Sequence, residues 1–256
     1  MQTQQQAEWL NDTRRFWDTD SDFEARFRRI CSDPDIESCA DPQRLEELWE
    51  KRTQEELNQL LSGIPLEAEW TCLEIGCGIG RLMRPLAKRC RRLIGVDISP
   101  KMVTAAKRYL RGVRNVELHV NDGQSLAMVS EASVDWVYSH LTFQHLTLPE
   151  VVDAYLAEIA RVLRPGGYCR IQAWREAPLS WEQRLKNVAR LVLGRERYHG
   201  PRRWLWAPGR SVKFGGITFH PRQWCRLLRS HGLRVESLEL GRGHDYWMWS
   251  TSRKVV

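Results

Sequence analysis

The stretch "LEIGCGIGR" (residues 73–81) places Gly76, Gly78 and Gly80 between a short apolar run and a helix-like one. A glycine turn at such a junction lets backbone come close to a nucleotide ligand. The spacing is G-x-G-x-G. A dinucleotide fingerprint would need its third glycine at position 81, which is Arg81. A phosphate loop fails too, since no Lys-Ser/Thr pair follows at the required spacing. Two acidic residues narrow the ligand. Asp97 ends the next apolar run, where a carboxylate can accept from both ribose hydroxyls. Asp122, in "VNDG", follows the third run and can accept from an adenine amino group. The pair fits an adenosine and does not require a second nucleotide. Asp97 as a helix cap and Asp122 as a turn former remain open. Two imidazoles, His140 and His145, follow the fourth run, and an unperturbed pKa of about 6.5 suits a general base.

These residues need a frame. "TCLEI", "RRLIGVDI", "NVELHV", "VDWVYS" and "YCRIQAW" read as strands. Between them, "RLMRPLAKRC", "SPKMVTAAKRYLRG" and "LPEVVDAYLAEIARVLRPGG" read as helices, the second capped by Ser99 with Pro100 at its first position. Strands alternating with helices imply βαβ units and a parallel sheet covered on both faces. "HPRQWCRLLRSHG" is a later helix, and "LRVESLEL" and "DYWMWSTSRK" form a hairpin, which makes one strand antiparallel. Ahead of the alternation, residues 5–30 read as broken helix, 32–43 as linker and 44–61 as a strong helix. The expected organisation is an N-terminal helical segment (1–67), a nucleotide-binding core (68–173), a cap insertion (174–220) and a C-terminal helix and hairpin (221–256).

With those elements in place, the chain resembles the class I S-adenosylmethionine-dependent methyltransferases. "LEIGCGIGR" is similar to their first motif, "IGVDISPKM" to the ribose-binding strand end and "NDG" to the adenine motif. "VDWVYSHLTFQHL" and "RVLRPGGYCRI" match the fourth-strand and fifth-strand motifs. The likeness covers about residues 68–173, with a weaker echo in 216–250. It implies a Rossmann-like α/β fold with a seven-stranded, mostly parallel sheet whose last strand is antiparallel. It implies S-adenosyl-L-methionine as cofactor. Gly76, Cys77, Gly78 and Gly80 would face its methionine part, with Glu74 ordering the loop. Asp97 would hold the ribose, Ile98 and Met102 would pack near the adenine, and Asp122 and Gly123 would read the adenine edge. Ser139 would sit near the amino group and methyl donor.

Methyl transfer from a sulfonium asks the protein to position, to desolvate and sometimes to deprotonate. His140 and His145 are the candidate bases. The expected substrate is a small metabolite methylated on O or N, anionic or aromatic in character. Specificity would come from Trp9, Phe16 and Trp17 and from the insertion. There Trp174, Trp181, Tyr198, Trp204, Trp206 and Phe214 interleave with Arg195, Arg197, Arg202, Arg203 and Arg210.

Charge is segregated. Residues 164–256 carry 19 Lys+Arg against 6 Asp+Glu, whereas the rest of the chain has an acidic excess. A basic back half suits an anionic partner or a solvated surface. Two other acceptors therefore stand as alternatives: a quinone or lipid-linked molecule at a membrane surface, through amphipathic 179–194, and RNA. RNA is disfavoured, because "SHLT" stands where base-modifying relatives carry an N-P-P-Y type motif. A cofactor-binding regulatory or partner subunit is the non-enzyme alternative. No run approaches the roughly 20 apolar residues of a membrane span, and "MQTQQQAEWLNDTRR" has no signal-peptide core. A soluble, cytoplasmic protein with reduced thiols is expected. The seven cysteines show no C-x-x-C pair, and no metal site is expected.

Overall fold

The computed structural model describes residues 4–18, 34–176, 202–203, 216–241 and 246–255. Among the described residues, three helices come first: α1 (Gln4–Asp18), α2 (Pro34–Ser38) and α3 (Pro42–Leu61). Alternation then begins: β1 (Thr71–Ile75), α4 (Met83–Leu86), β2 (Arg92–Asp97), α5 (Pro100–Tyr109), β3 (Val116–Val120), β4 (Val134–Ser139), α6 (Pro149–Val162) and β5 (Leu163–Arg175). The chain closes with β6 (Arg202–Arg203), β7 (Ile217–Phe219), α7 (Pro221–Ser230), β8 (Leu233–Leu240) and β9 (Trp247–Lys254).

Strands β3-β2-β1-β4-β5 pair in parallel in that order. β9 then pairs antiparallel with both β5 and β8. This is the doubly wound sheet with one reversed strand that the motif order implies. Among the described residues the sheet has nine strands rather than seven, because β7 pairs in parallel with Trp174 and Arg175 at the end of β5, and two-residue β6 pairs antiparallel with β7, a second reversed strand. Both additions lie in the span expected to form the cap.

Every residue of β1 is buried, as expected of a strand covered on both faces. Its side chains alternate between two cores. Leu73 and Ile75 join Val152, Leu156 and Ile159 of α6, while Cys72 joins Leu57 and Leu60 of α3 and Met83 and Leu86 of α4. β4 does the same, with Val137 on the first side and Trp136 and Tyr138 on the second. α3 is thus part of the core sandwich. Its start is fixed by Asp41, whose carboxylate accepts from the Gln43 and Arg44 amides, an N-cap worth about 1 kcal/mol.

Two local expectations change. The 32–43 stretch contains α2, because Ile36 is fully buried and gives a short helix something to pack. "RLMRPLAKRC" forms one helical turn followed by a 3-10 turn at Ala87–Arg89. The Asn115 side-chain amide donates to the carbonyls of Ala87 and Cys90 at 2.8 and 2.9 Å. That satisfies end carbonyls which a longer helix would pair internally. The expected helix 179–194 and the cap aromatics Trp181, Tyr198, Trp204, Trp206 and Phe214 lie outside the described residues, as do Arg195, Arg197 and Arg210. No described helix is long and apolar enough to cross a membrane.

Candidate active site

The glycine loop leaves β1 at its carboxyl end. Gly76, Gly78 and Gly80 have φ of 76°, 53° and 81°, the left-handed region that glycine enters without a side-chain penalty. Their surroundings differ. A Cβ on Gly76 would overlap the Thr142 side chain, and one on Gly80 would lie 2.6 Å from Leu110 Cδ1. A Cβ on Gly78 would meet nothing within 4 Å. Gly76 and Gly80 are therefore needed for packing, and Gly78 borders open space. That space is a pocket of about 420 Å³, counting the part open to solvent, and it is lined by Glu74, the 76–79 loop, Arg81, Trp49 and His140.

Asp97 ties the loop to the second strand. Its Oδ2 accepts from the Gly78 amide at 2.8 Å and its Oδ1 from the Ser99 amide at 2.9 Å. Burial pushes its pKa up to about 6, against the pull of those two amides, and the nearby Asp18 carboxylate pushes the same way. Helix-cap duty falls to Ser99, whose Oγ accepts from the Met102 amide at 3.1 Å. Glu74 is buried behind the loop and accepts from the Tyr138 hydroxyl at 3.0 Å. Burial raises its pKa to about 8, with the Tyr138 hydrogen bond and the Arg81 charge opposing. Burial also holds the Cys77 thiol well above its usual range.

The other expected cofactor residues gather along the same edge. Ile98 and Leu10 flank Gly123, where a Cβ would lie 2.6 and 2.7 Å from their methyl groups. Met102 is buried on α5. Asp122 is exposed, and its Oδ1 accepts from the Gln124 and Ser125 amides at 3.1 and 2.7 Å, the geometry of a turn former. Ser139 is fully buried, with its hydroxyl donated to the Ile75 carbonyl at 2.9 Å. It stitches β4 to β1 and is not among the residues that line the pocket.

The two histidines part company. His140 lines the pocket; its ring stacks on Trp249 at 5.4 Å and 7°, and its Nδ1 is 3.4 Å from Glu56 Oε2. Burial lowers its pKa to about 4; Glu56 opposes that shift, and Arg81 and Arg52 add to it. At neutral pH the ring is uncharged. His145 lies in the next turn, outside the pocket lining, edge-on to Trp17 at 5.7 Å.

Four contributors carry no local signature. Glu56, 4% exposed on α3, pairs with Arg81 and lies 2.8 Å from Arg52 Nε. Trp49 of α3 stacks on the Arg81 guanidinium at 5.3 Å. Trp249 comes from the last strand. Finally, α1 lies across the strand ends: Gln6 bonds Gln124 at 2.6 Å, Arg14 reaches the Asn121 carbonyl at 3.5 Å, and Ser99 bonds Asp18 at 2.6 Å. A buried Glu within an amphipathic helix is the one signal that sequence offers for Glu56, and it becomes visible only when the partner cations are known.

The cradle fits an adenosyl cofactor. Open space borders Gly78, a half-buried carboxylate stands at the tip of β2, and an uncharged imidazole faces the same pocket. Among the described residues no group of His, Cys, Asp and Glu is arranged to hold a metal ion.

Residues 73–171 match a family model described as a methyltransferase domain. A trans-aconitate 2-methyltransferase of Azoarcus sp. (strain BH72) is 30% identical over 146 residues, 50% of this chain and 53% of that protein. A malonyl-[acyl-carrier protein] O-methyltransferase of Hahella chejuensis is 38% identical over 97 residues, 37% of this chain and 33% of that protein. The chain thus spans about half the length, or less, of these curated relatives. A magnesium protoporphyrin IX methyltransferase from Synechocystis PCC 6803, solved with bound SAH, superimposes with a TM-score of 0.61 at 17% identity, covering 95% of this chain and 99% of that one. At that identity the likeness speaks for the fold.

Proposed function

Because the chain carries, over residues 73–171, a methyltransferase domain of the class I S-adenosylmethionine-dependent family, we propose that it transfers a methyl group to an oxygen or nitrogen of a small molecule. The observation that carries this is the pairing of two features on one pocket. One is the open flank of Gly78, braced by Asp97; the other is an uncharged imidazole, His140, on the pocket wall.

The cofactor, when bound, supplies an electrophilic methyl group on sulfur. The chain's own residues do the rest. Asp97 offers acceptor oxygens for ribose hydroxyls while bracing the loop through the Gly78 amide. Glu74 supplies negative charge behind the loop once it ionises. Ile98, Met102 and Leu10 give an apolar wall for the base. Asp122 is already engaged by two turn amides, so its part is chiefly to shape the loop that presents Gly123. Cys77 contributes backbone, and Ser139 holds β4 against β1. His145 supports the turn beneath Trp17, which leaves His140 as the proton acceptor. Holding two reacting groups in line near 3 Å supplies on the order of 7–11 kcal/mol, and a placed base adds ~10²–10⁴ in rate.

A small-molecule acceptor is supported by the relatives named for trans-aconitate and a malonyl carrier. Incubating the protein with methyl-labelled cofactor and fractionated cell extract tests the proposal. Label in a low-molecular-weight organic product is expected. Label in RNA, or no transfer despite saturable cofactor binding, would overturn it.

A further inference from the structure

We propose that Glu56 is a positioning residue for the reaction, holding His140 with its proton on Nδ1 so that the Nε2 lone pair takes the proton of a hydroxyl acceptor. This rests on the methyltransferase function proposed above and names the acceptor class, a protic nucleophile rather than a preformed carboxylate.

Three chain segments meet at this point: α3, the residue after the glycine loop, and the end of β4. Glu56 is 4% exposed and His140 8% exposed, so the pair is shielded from water on nearly every side. The Oε2 atom of Glu56 faces His140 Nδ1 at 3.4 Å. A carboxylate only accepts, so this contact can close to a hydrogen bond only with the proton on Nδ1. An imidazole protonated at Nδ1 keeps its Nε2 lone pair, the arrangement by which a buried acid fixes a catalytic histidine. The ring's plane is set independently by Trp249, stacked at 5.4 Å. Arg81 and Arg52 pin Glu56 from the other side. With two cations in contact, the orientation of its carboxylate is fixed before any acceptor arrives.

The charges facing His140 are Glu56, Arg52 and Arg81. They leave the resting imidazole neutral at physiological pH, so its lone pair is free. When the acceptor oxygen forms its new bond to the methyl carbon, the carbon–sulfur bond breaks and its electron pair stays on sulfur. The hydroxyl proton passes to His140 Nε2, and Glu56 bears the imidazolium that results. A carboxylate acceptor would arrive ionised and would leave this apparatus without a task.

The test reads the imidazole itself. Long-range ¹H–¹⁵N correlation on the full chain with ¹⁵N-histidine identifies the tautomer, with His140 assigned by the signal lost in His140→Gln. The Nδ1–H form is expected, and the Nε2–H form would overturn the proposal. Glu56→Gln should convert His140 to the other tautomer or a mixture, because the Gln amide can donate to Nδ1. It should lower kcat on a hydroxyl acceptor by ~10- to 100-fold while cofactor affinity stays within about twofold. An unchanged tautomer, or equal activity of both proteins, would refute it. If Glu56→Gln fails to fold, the wild-type tautomer still decides. Absence of any acceptor would sink the methyltransferase function and leave the tautomer result standing, so the two failures are separable.

Discussion

The two walls of the pocket are built differently. The loop wall runs through residues 74–80 and 97–99 and is assembled from neighbours in sequence: Gly78 and Ser99 donate to Asp97 across one strand–turn unit. The facing wall is assembled from distant segments, Trp49 and Glu56 of α3, His140 after β4 and Trp249 of the last strand. The first is specified by local backbone rules, glycine at positive φ and an acid at a strand tip. The second exists only because the helix, the loop and the sheet pack as they do. The loop wall can therefore be written as a short motif, whereas the facing wall is distributed through the fold.

The largest effect separating the walls should come from the helix that carries the second. Leu57 is fully buried beside Leu60. Leu57→Ala should cost about 2–5 kcal/mol of stability, measured by denaturant unfolding. Under native conditions its cofactor affinity should be nearly unchanged, because no α3 residue takes part in the Asp97 contacts. A matching loss of affinity would show that the walls are one unit.

Within the loop, Gly76→Ala and Gly78→Ala should diverge. The first collides with Thr142 and should lower the melting temperature markedly. The second meets no neighbour, so only the left-handed backbone cost of about 1–2 kcal/mol applies. Cofactor binding should nevertheless fall for Gly78→Ala, because the added methyl enters the open space. Thermal melts paired with calorimetry distinguish them. Equal stability losses with affinity intact in Gly78→Ala would remove Gly78 from the cradle.

The smallest effect is a pH dependence. Glu74 has its folded pKa raised to about 8 by burial. The neutral form is thus favoured in the folded free protein, and the stabilisation this gives is greatest at low pH and is lost as pH rises through about 8. A bound sulfonium and ammonium favour the ionised form instead. Cofactor affinity should rise several-fold between about pH 6.5 and pH 8, with proton release on binding. Calorimetry in buffers of different ionisation enthalpy measures that release, and Glu74→Gln should abolish it. Proton uptake on binding would contradict the assignment.

Residue patterns alone gave much of the frame. The β1–β5 alternation, the capped start of α5 at Ser99 and the terminal hairpin are each set by short-range periodicity, caps or turn residues, and each is present. The positive-φ glycines of the loop and the place of Asp97 at a strand tip were legible for the same reason. Glu56 was not, because in "RTQEELNQLL" it looks like one more solvated helix carboxylate next to Glu55. Only packing of Leu57 and Leu60 against the sheet turns it inward towards Arg81. Asp122 shows the converse. Its "NDG" context supports both a ligand and a turn, and its bonds to Gln124 and Ser125 are those of the turn. Equally, α1 gave no sign that its end would reach Ser99, since that contact joins residues 81 apart.

On the proposed function, the 76–80 loop, braced by Asp97, holds a single adenosyl sulfonium. Isothermal titration of wild type and Asp97→Ala with S-adenosylmethionine, and of wild type with NADH, tests it most directly. Saturable heat with S-adenosylmethionine is expected, weakened in Asp97→Ala by ~100-fold for the lost charged hydrogen bonds, with no heat from NADH. No heat from S-adenosylmethionine, or saturable heat from NADH, would contradict it.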